Sequence, residues 1–414
     1  MKKIKVKNFL ILFIIIIVII LGLAYFLVKK EDKLVDKPLE VEVLKEDFKN
    51  MNLIEVEEYA KNHHLSINKT YEFNDEVKKD IVISSSLKDK NLDLIVSKGS
   101  IPIDIYSEKK VNELGKVPIM MYHGIREKTS TSTGTIGGNV DKDGYNRTPE
   151  AFEADLEFYY ENGYRMISLA DYIKGIVDVP LGLCPIILTF DDGNADNFKV
   201  IGKNEDGSLQ FDPKSAIGIL EKMKNKYPDF NVTATFFLNS GLCNQPEYNE
   251  DIMKWLIENN YDIGNHTTTH PDFTKITVLK TQEVVGKIYK MFDQIIPNQY
   301  VKIVALPFGS PYKKTHTNYG YILKGEYEGY SYETESALRV GWEPEVSPFA
   351  KNFDKTFLKR CRAYDNNGKE FDIKMVFNML KTSRYISDGE NDLITIPNSL
   401  KDNLGETDKK IITY

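Results

Sequence analysis

The chain has 414 residues, 42% hydrophobic and 28% charged, with a formal net charge of -7. That is long enough for two or three folded units and too apolar for extended disorder. An acidic chain without a concentrated basic face argues against a nucleic-acid binder, and three scattered cysteines, Cys184, Cys243 and Cys361, argue against a C-x-x-C site or a disulfide framework.

Lys2, Lys3, Lys5 and Lys7 precede a charge-free, Ile- and Leu-rich run from Phe9 to Val28. Its roughly 20 residues, at about 1.5 Å each, match a hydrocarbon core about 30 Å thick. The positive-inside rule then makes residues 1–8 a cytoplasmic tail, 9–28 a transmembrane helix, and everything beyond extracytoplasmic. A cleaved signal peptide is the competing account, but the run is long for one and Leu21-Gly22-Leu23-Ala24-Tyr25 is a poor cleavage site. Residues 29–44 are charged and read as a spacer.

Between residues 45 and 100 the pattern predicts one helix, around Leu53 to Ala60, and three short strands, at Leu65 to Tyr71, Ile81 to Ser84 and Leu92 to Val96. This order, with Ile81-Val82-Ile83-Ser84-Ser85 and the closing Val96-Ser97-Lys98-Gly99, resembles a PASTA domain, although the usual Pro and Gly are missing from the turn at Ser86 to Lys90. The resemblance implies a small α+β module that recognises cell-wall peptidoglycan or spaces a domain from the membrane. Residues 101–116 read as a linker.

From Val117 to about residue 400, apolar strands alternate with amphipathic helices. Strands are expected at Val117–Tyr122, Tyr164–Leu169, Pro185–Phe190, Thr233–Leu238 and Val301–Ala305, and helices at Pro149–Tyr160, Lys214–Asn225, Glu250–Asn259 and Thr277–Ile295. Such repetition predicts an α/β fold with a largely parallel sheet or barrel, its active end where the strands finish. The Ser-, Thr- and Gly-rich stretch between Arg126 and Arg147 reads as a surface loop.

The apolar run Ile186 to Phe190 ends in Asp191-Asp192-Gly193; alone this is an ordinary turn signal. Some seventy residues later His266 and His270 stand at i and i+4, a spacing that puts both imidazoles on one face of a helical turn and suits a metal. Together, Thr189-Phe190-Asp191-Asp192-Gly193 and His266-Thr267-Thr268-Thr269-His270 resemble the polysaccharide deacetylase (NodB-homology, carbohydrate esterase) family over about residues 117–397. Met121-Tyr122-His123-Gly124 and Leu306-Pro307-Phe308-Gly309 fall in the expected order.

The resemblance implies a distorted (β/α) barrel and a metal-dependent hydrolase that removes N-acetyl groups from cell-wall glycan, with no protein partner expected. It makes Asp191 the catalytic base and Asp192, His266 and His270 the ligands of one divalent ion, zinc or cobalt. The Phe308 backbone N–H is the implied oxyanion donor. An ion in that set lowers the pKa of water and polarises an acetamide carbonyl.

Two departures qualify it. Ala305 stands where the third motif usually begins with a base-orienting arginine, and the late Leu-x-His that supplies the general acid is absent. Arg360 and Arg362 are candidates for the orienter, His123 and His316 for the acid, and Trp342 with Glu343 for an aromatic-acidic wall. The same departures leave open a degenerate domain that binds wall or metal without turnover.

Overall fold

The computed structural model describes Leu21 and residues 44–45, 47–128, 137–341 and 343–414. The expected tail, anchor and spacer, apart from Leu21 and residue 44, lie outside the described residues, as does Trp342. Among the described residues no helix is long and apolar enough to cross a membrane.

The chain divides into two compact units, the first ending at Ile101. In it, α1 (Leu53–Asn62) is followed by β1 (Ser66–Glu72), β2 (Val82–Lys88) and β3 (Asn91–Ser97). Asn52 starts the helix by accepting the Ile54 N–H with its side chain at 2.9 Å. The sheet order is β1-β3-β2, with β1 parallel and β2 antiparallel to β3. One face of the helix, through Leu53, Val56 and Ala60, closes over Val82, Leu92, Leu94 and Val96. Asp89 takes the left-handed conformation (φ 56) in the β2–β3 turn that lacks glycine, which a short polar side chain tolerates.

The second unit runs from Pro102 to Tyr414. It opens with α2 (Ile103–Lys109), β4 (Ile119–Tyr122), α3 (Pro149–Glu161), β5 (Tyr164–Met166), α4 (Leu169–Ile173) and β6 (Cys184–Phe190). A hairpin, β7 (Val200–Lys203) and β8 (Leu209–Phe211), precedes α5 (Ala216–Lys226), β9 (Thr235–Leu238), α6 (Asn249–Glu258), β10 (Asp262–Asn265), α7 (Val278–Ile295) and β11 (Ile303–Ala305). Then come α8 (Thr317–Leu323), a second hairpin of β12 (Lys324–Tyr327) and β13 (Tyr330–Glu333), β14 (Ser336–Leu338), β15 (Phe357–Leu358) and β16 (Cys361–Arg362). The unit closes with α9 (Ile373–Leu380), β17 (Leu393–Ile396) and β18 (Lys410–Thr413). Side chains of Thr148, Ser168, Ser215, Thr277 and Asp372 cap the helices that follow them, each contributing about 1 kcal/mol by satisfying an orphan N–H.

The main sheet is parallel and runs β15-β14-β11-β10-β9-β6-β4-β16, with β5 beside β6. β15 and β16 are the two ends of one stretch, interrupted only by Lys359 and Arg360. Leu358 pairs with Leu338 of β14, whereas Arg362 pairs with Met121 of β4. The sheet therefore curls until one stretch of chain serves both of its edges. The expected α/β fold is thus a curled parallel half-barrel sheet, interrupted where Lys359 leaves the ladder and donates its N–H to the Glu345 carboxylate at 2.7 Å.

Strand alternation sorts the core. Ile119, Ile187, Phe237, Ile303, Ala305, Leu338 and Leu358 cluster with one another, while Met120, Tyr122, Leu188, Phe190, Phe236 and Val304 pack with helix residues such as Leu156, Leu220, Met253 and Ile288. Gly264 is required by this packing, since a Cβ there would lie 2.4 Å from the Phe237 ring.

Three expectations need correction. The supposed linker contains α2, belongs to the second unit and buries Tyr106, Val111 and Glu113. The unit continues past residue 400, because β18 pairs with β17. The Arg126–Arg147 stretch is no mere surface loop: Asn139, Val140 and Arg147 are buried, and Arg147 bridges Asp155 at 2.6 Å and Asp365 at 2.8 Å. Its residues 129–136 lie outside the described residues.

Candidate active site

The site lies where the parallel strands end. Tyr122 pairs with Phe190 across β4 and β6, so the next residues, His123 and Asp191, emerge side by side; the Asp191 N–H donates to the Tyr122 carbonyl at 3.0 Å. On the far side of β9, the His266 N–H donates to the Leu238 carbonyl at 2.9 Å, carrying β10 into the second motif.

Asp191 is buried and held by both arms of Arg360, with Nη1 to Oδ1 and Nη2 to Oδ2 each 2.7 Å. Arg360 is itself fully buried. Its Nε donates to the Arg339 carbonyl at 3.0 Å and its Nη1 to Thr189 Oγ1 at 3.2 Å. The planar fork fixes both carboxylate oxygens. Burial alone would push the Asp191 carboxyl up, but the Arg360 guanidinium overcomes it and holds it well below the usual carboxylate range.

Asp192 turns away in the left-handed conformation (φ 74). Its carbonyl accepts from Asn239 Nδ2 at 2.9 Å, and Gly193 must be glycine because a Cβ there would lie 2.0 Å from the Leu242 carbonyl oxygen. The Asp192 carboxylate Oδ1 thereby faces His266 Nε2 at 3.1 Å and His270 Nε2 at 3.6 Å.

The two histidines do not share a helical face. The chain after Asn265 is a turn in which Thr267 and His270 both have positive φ. Asn265 Oδ1 accepts the Thr267 N–H and Thr267 Oγ1 accepts the His270 N–H, so side-chain bonds replace the helical ladder.

These three residues fit a metal ion. Their ligand atoms all lie within 4.8 Å of one another. His266 Nδ1 lies 2.9 Å from the Ala305 carbonyl, which fixes the proton there and leaves Nε2 as a lone pair. That Nε2 is buried and has no donor to satisfy it. A lone pair facing a carboxylate across 3.1 Å is the arrangement a cation between them resolves.

Phe308 lies in the turn Pro307–Gly309 with φ 57, and its exposed ring meets His270 edge-on at 4.6 Å. Ser310 donates to the Asp272 carboxylate at 2.6 Å and ties this turn to the histidine turn. Neither Asp272 nor Ser310 was singled out from the sequence, and each looks like ordinary loop polarity there.

The other candidates separate. His123 belongs to the centre: its Nδ1 is buried without a partner, its ring meets Tyr145 at 4.9 Å, and burial pushes its pKa down against the pull of Asp191 and Asp192. His316 does not; it caps α8, accepting the Asn318 N–H at 3.2 Å. Arg362 is not the orienter either, since its guanidinium stacks on Tyr364 at 4.0 Å and Tyr145 at 5.1 Å.

With this geometry in place, residues 184–321 match the family model described as Polysaccharide deacetylase. That stretch is a polysaccharide deacetylase domain of the NodB type. The match is narrower than the expected span of 117–397; β4, β14, β15 and β16 lie outside it and pair into the same sheet. A peptidoglycan-N-acetylglucosamine deacetylase of Bacillus cereus is 26% identical over 167 residues, 39% of this chain and 52% of that protein. The uncharacterized protein YlxY of Bacillus subtilis is 34% identical over 77 residues, 19% of this chain and 23% of that protein. The chain thus spans about half the length of the first relative and under a quarter of the second.

Among solved structures, the Streptococcus pyogenes deacetylase PplD in complex with acetate aligns with a TM-score of 0.45 at 18% identity, over 65% of this chain and 98% of that one. A family 4 carbohydrate esterase from Bacillus anthracis aligns with a TM-score of 0.25 at 19% identity, over 55% and 84%. The curled parallel sheet is defined by its own strand order.

Proposed function

We propose that the protein is a metal-dependent hydrolase that removes N-acetyl groups from cell-envelope polysaccharide, peptidoglycan amino sugars foremost. The observation that carries this is the juxtaposition of two carboxylates in different states of engagement. Asp191 is locked to Arg360, while its neighbour Asp192 faces two histidine nitrogens. Zinc or cobalt bound by Asp192, His266 and His270 would activate water and polarise the acetamide carbonyl. The ionised Asp191 accepts a proton from the attacking water, and Arg360 keeps its oxygens aimed. The Phe308 backbone N–H stabilises the oxyanion. His123, neutral and beside Asp191 at the strand ends, takes that proton on from Asp191 and as the imidazolium gives it to the amine as the C–N bond breaks, so that acetate leaves and Asp191 and His123 both end as they began.

Arg360 supplies what Ala305 cannot, which supports turnover over the binding-only alternative. Chelator-treated protein should release no acetate from N-acetylglucosamine oligomers or peptidoglycan, and added zinc or cobalt should restore release. Stoichiometric bound metal without release from either substrate would sink the hydrolase reading.

We further propose that residues 9–28 anchor the chain with its catalytic unit outside the cytoplasmic membrane, and that residues 45–100 engage the wall as a PASTA-like module. The charge-free apolar run supports the first and the helix with three strands the second. Removing residues 1–28 should move the protein from the membrane fraction to the soluble one. Removing residues 45–100 should weaken co-sedimentation with peptidoglycan. Unchanged partition in either case refutes the corresponding assignment.

A further inference from the structure

A cleft of about 470 Å³ adjoins the candidate metal centre through Phe308, whose ring touches His270. Its walls combine exposed aromatic rings, Phe308, Tyr312 and Tyr145, with the basic side chains of Arg339, Lys359 and Arg362. Lys359 is answered by Glu343 at 3.5 Å. The two arginines are not answered in that way. Among the described residues neither guanidinium lies within ion-pair distance of a carboxylate; Arg339 stacks on Phe357 at 5.1 Å, and Arg362 on Tyr364 and Tyr145. The Arg362 Nε is buried without a hydrogen-bond partner.

Four of the other five arginines of the unit are treated differently, and the fifth, Arg384, donates to the Asn162 carbonyl at 3.1 Å. Arg126, Arg147, Arg165 and Arg360 each contact a carboxylate at 2.8 Å or less. A guanidinium held flat on an aromatic ring is positioned through its face and keeps its N–H edge for a planar or tetrahedral anion. Two such edges in one cleft, in a chain whose net charge is -7, are more than a neutral sugar polymer calls for. The aromatic rings suit sugar faces, and the arginine edges suit a charge carried beside them.

We propose that this cleft selects an anionic glycan, one bearing a carboxylate or phosphodiester near the sugar whose acetamide reaches Asp192, His266 and His270. The inference rests on the deacetylase reading for the placement of that sugar. Arg339 and Arg362 are its specificity residues, and Phe308, Tyr312 and Tyr145 its stacking surface.

The test measures binding apart from turnover. The chelator-treated full chain is titrated calorimetrically with three tetrasaccharides: neutral tetra-N-acetylglucosamine, one alternating N-acetylglucosamine with N-acetylmuramic acid, and an N-acetylglucosamine oligomer carrying a phosphodiester. At least one anionic oligomer should bind tenfold or more tighter than the neutral one, and which of the two does so identifies the source of the charge. That preference should shrink as salt is raised, a readout that needs no substitution, and should fall at least tenfold in Arg339→Gln/Arg362→Gln. Equal affinities for all three oligomers, or a preference indifferent to salt, overturns the proposal. Acetate release by the metal-loaded protein is read separately. Anionic preference without release would keep this inference and sink the hydrolase, and release without preference would do the reverse.

Discussion

Two of the carboxylates that the second unit buries, Asp191 and Glu113, are treated oppositely. At the strand ends, Asp191 has a guanidinium on both oxygens and its pKa is driven well down, burial notwithstanding. In the segment leading into β4, Glu113 is equally buried but meets only neutral donors, the Tyr385 hydroxyl at 2.7 Å and the Thr395 N–H at 2.8 Å. Its acidic neighbour Asp388 adds a like charge, and burial first, then Asp388, pushes Glu113 well above the ordinary range. Lys409, a cation in electrostatic reach, donates its Nζ to the Gly175 carbonyl at 3.0 Å. Depth alone therefore does not decide protonation. A hydrogen-bonded cation favours the ionised form of Asp191, and its absence favours the protonated form of Glu113, which cross-links the chain before β4 to the C-terminal strands.

The sharpest break in this contrast is Asp191→Asn, which removes the acceptor but none of the three inferred ligands. Acetate release should fall by roughly 10²- to 10⁴-fold with bound metal unchanged by elemental analysis; full activity would refute the base assignment. Next is Arg360→Met, which leaves Asp191 buried and unpaired like Glu113. It should destabilise the unit by about 3–5 kcal/mol in denaturant unfolding, and a cost under about 1 kcal/mol would show that the pair carries little. Thr189→Val deletes one support of Arg360, the Oγ1 that also donates to the Met120 carbonyl at 2.8 Å. A loss of about 1–3 kcal/mol is expected, the penalty for leaving buried polar groups unpaired.

The subtlest test uses pH. Asp191, depressed in the folded state, contributes stability that is present above its unfolded value of about 3.9 and is lost as pH falls toward the folded value. Glu113, raised in the folded state, keeps a proton that the unfolded chain releases above about 4.3, so stability declines as pH rises from there toward its folded value. Stability profiles of Asp191→Asn and Glu113→Gln should depart from wild type with opposite slopes: the first loses the acid-side drop, the second the decline on raising pH. Departures of the same sign would show that the two carboxylates are not in opposite states.

Much of the site was legible because its chemistry sits in contiguous motifs at strand ends. An apolar run that stops at Asp191-Asp192-Gly193 is an ordinary turn signal alone and gains its meaning from the second motif at His266 to His270. Helix positions were legible from apolar periodicity, while Thr148, Ser215 and Thr277 set where those helices start. Legibility ended where two residues of one type were equivalent in sequence. Arg360 and Arg362 were indistinguishable candidates, as were His123 and His316. The i, i+4 histidine spacing even suggested the wrong local geometry, because Asn265 and Thr267 redirect the backbone through side-chain bonds that a spacing rule ignores.

The sequence by itself determined the alternating α/β plan, which depends on residue type and short-range order, and the resemblance of its two motifs to the deacetylase family is what named Asp191, Asp192, His266 and His270 as one set. Only the tertiary structure decided which arginine serves Asp191. Arg360 occupies the two-residue break between β15 and β16, where one stretch spans both edges of the curled sheet and turns its side chain inward. That choice follows from closure of the sheet, a long-range event in which Leu338, Leu358, Met121 and Arg362 must all find their partners before Arg360 can reach the interior.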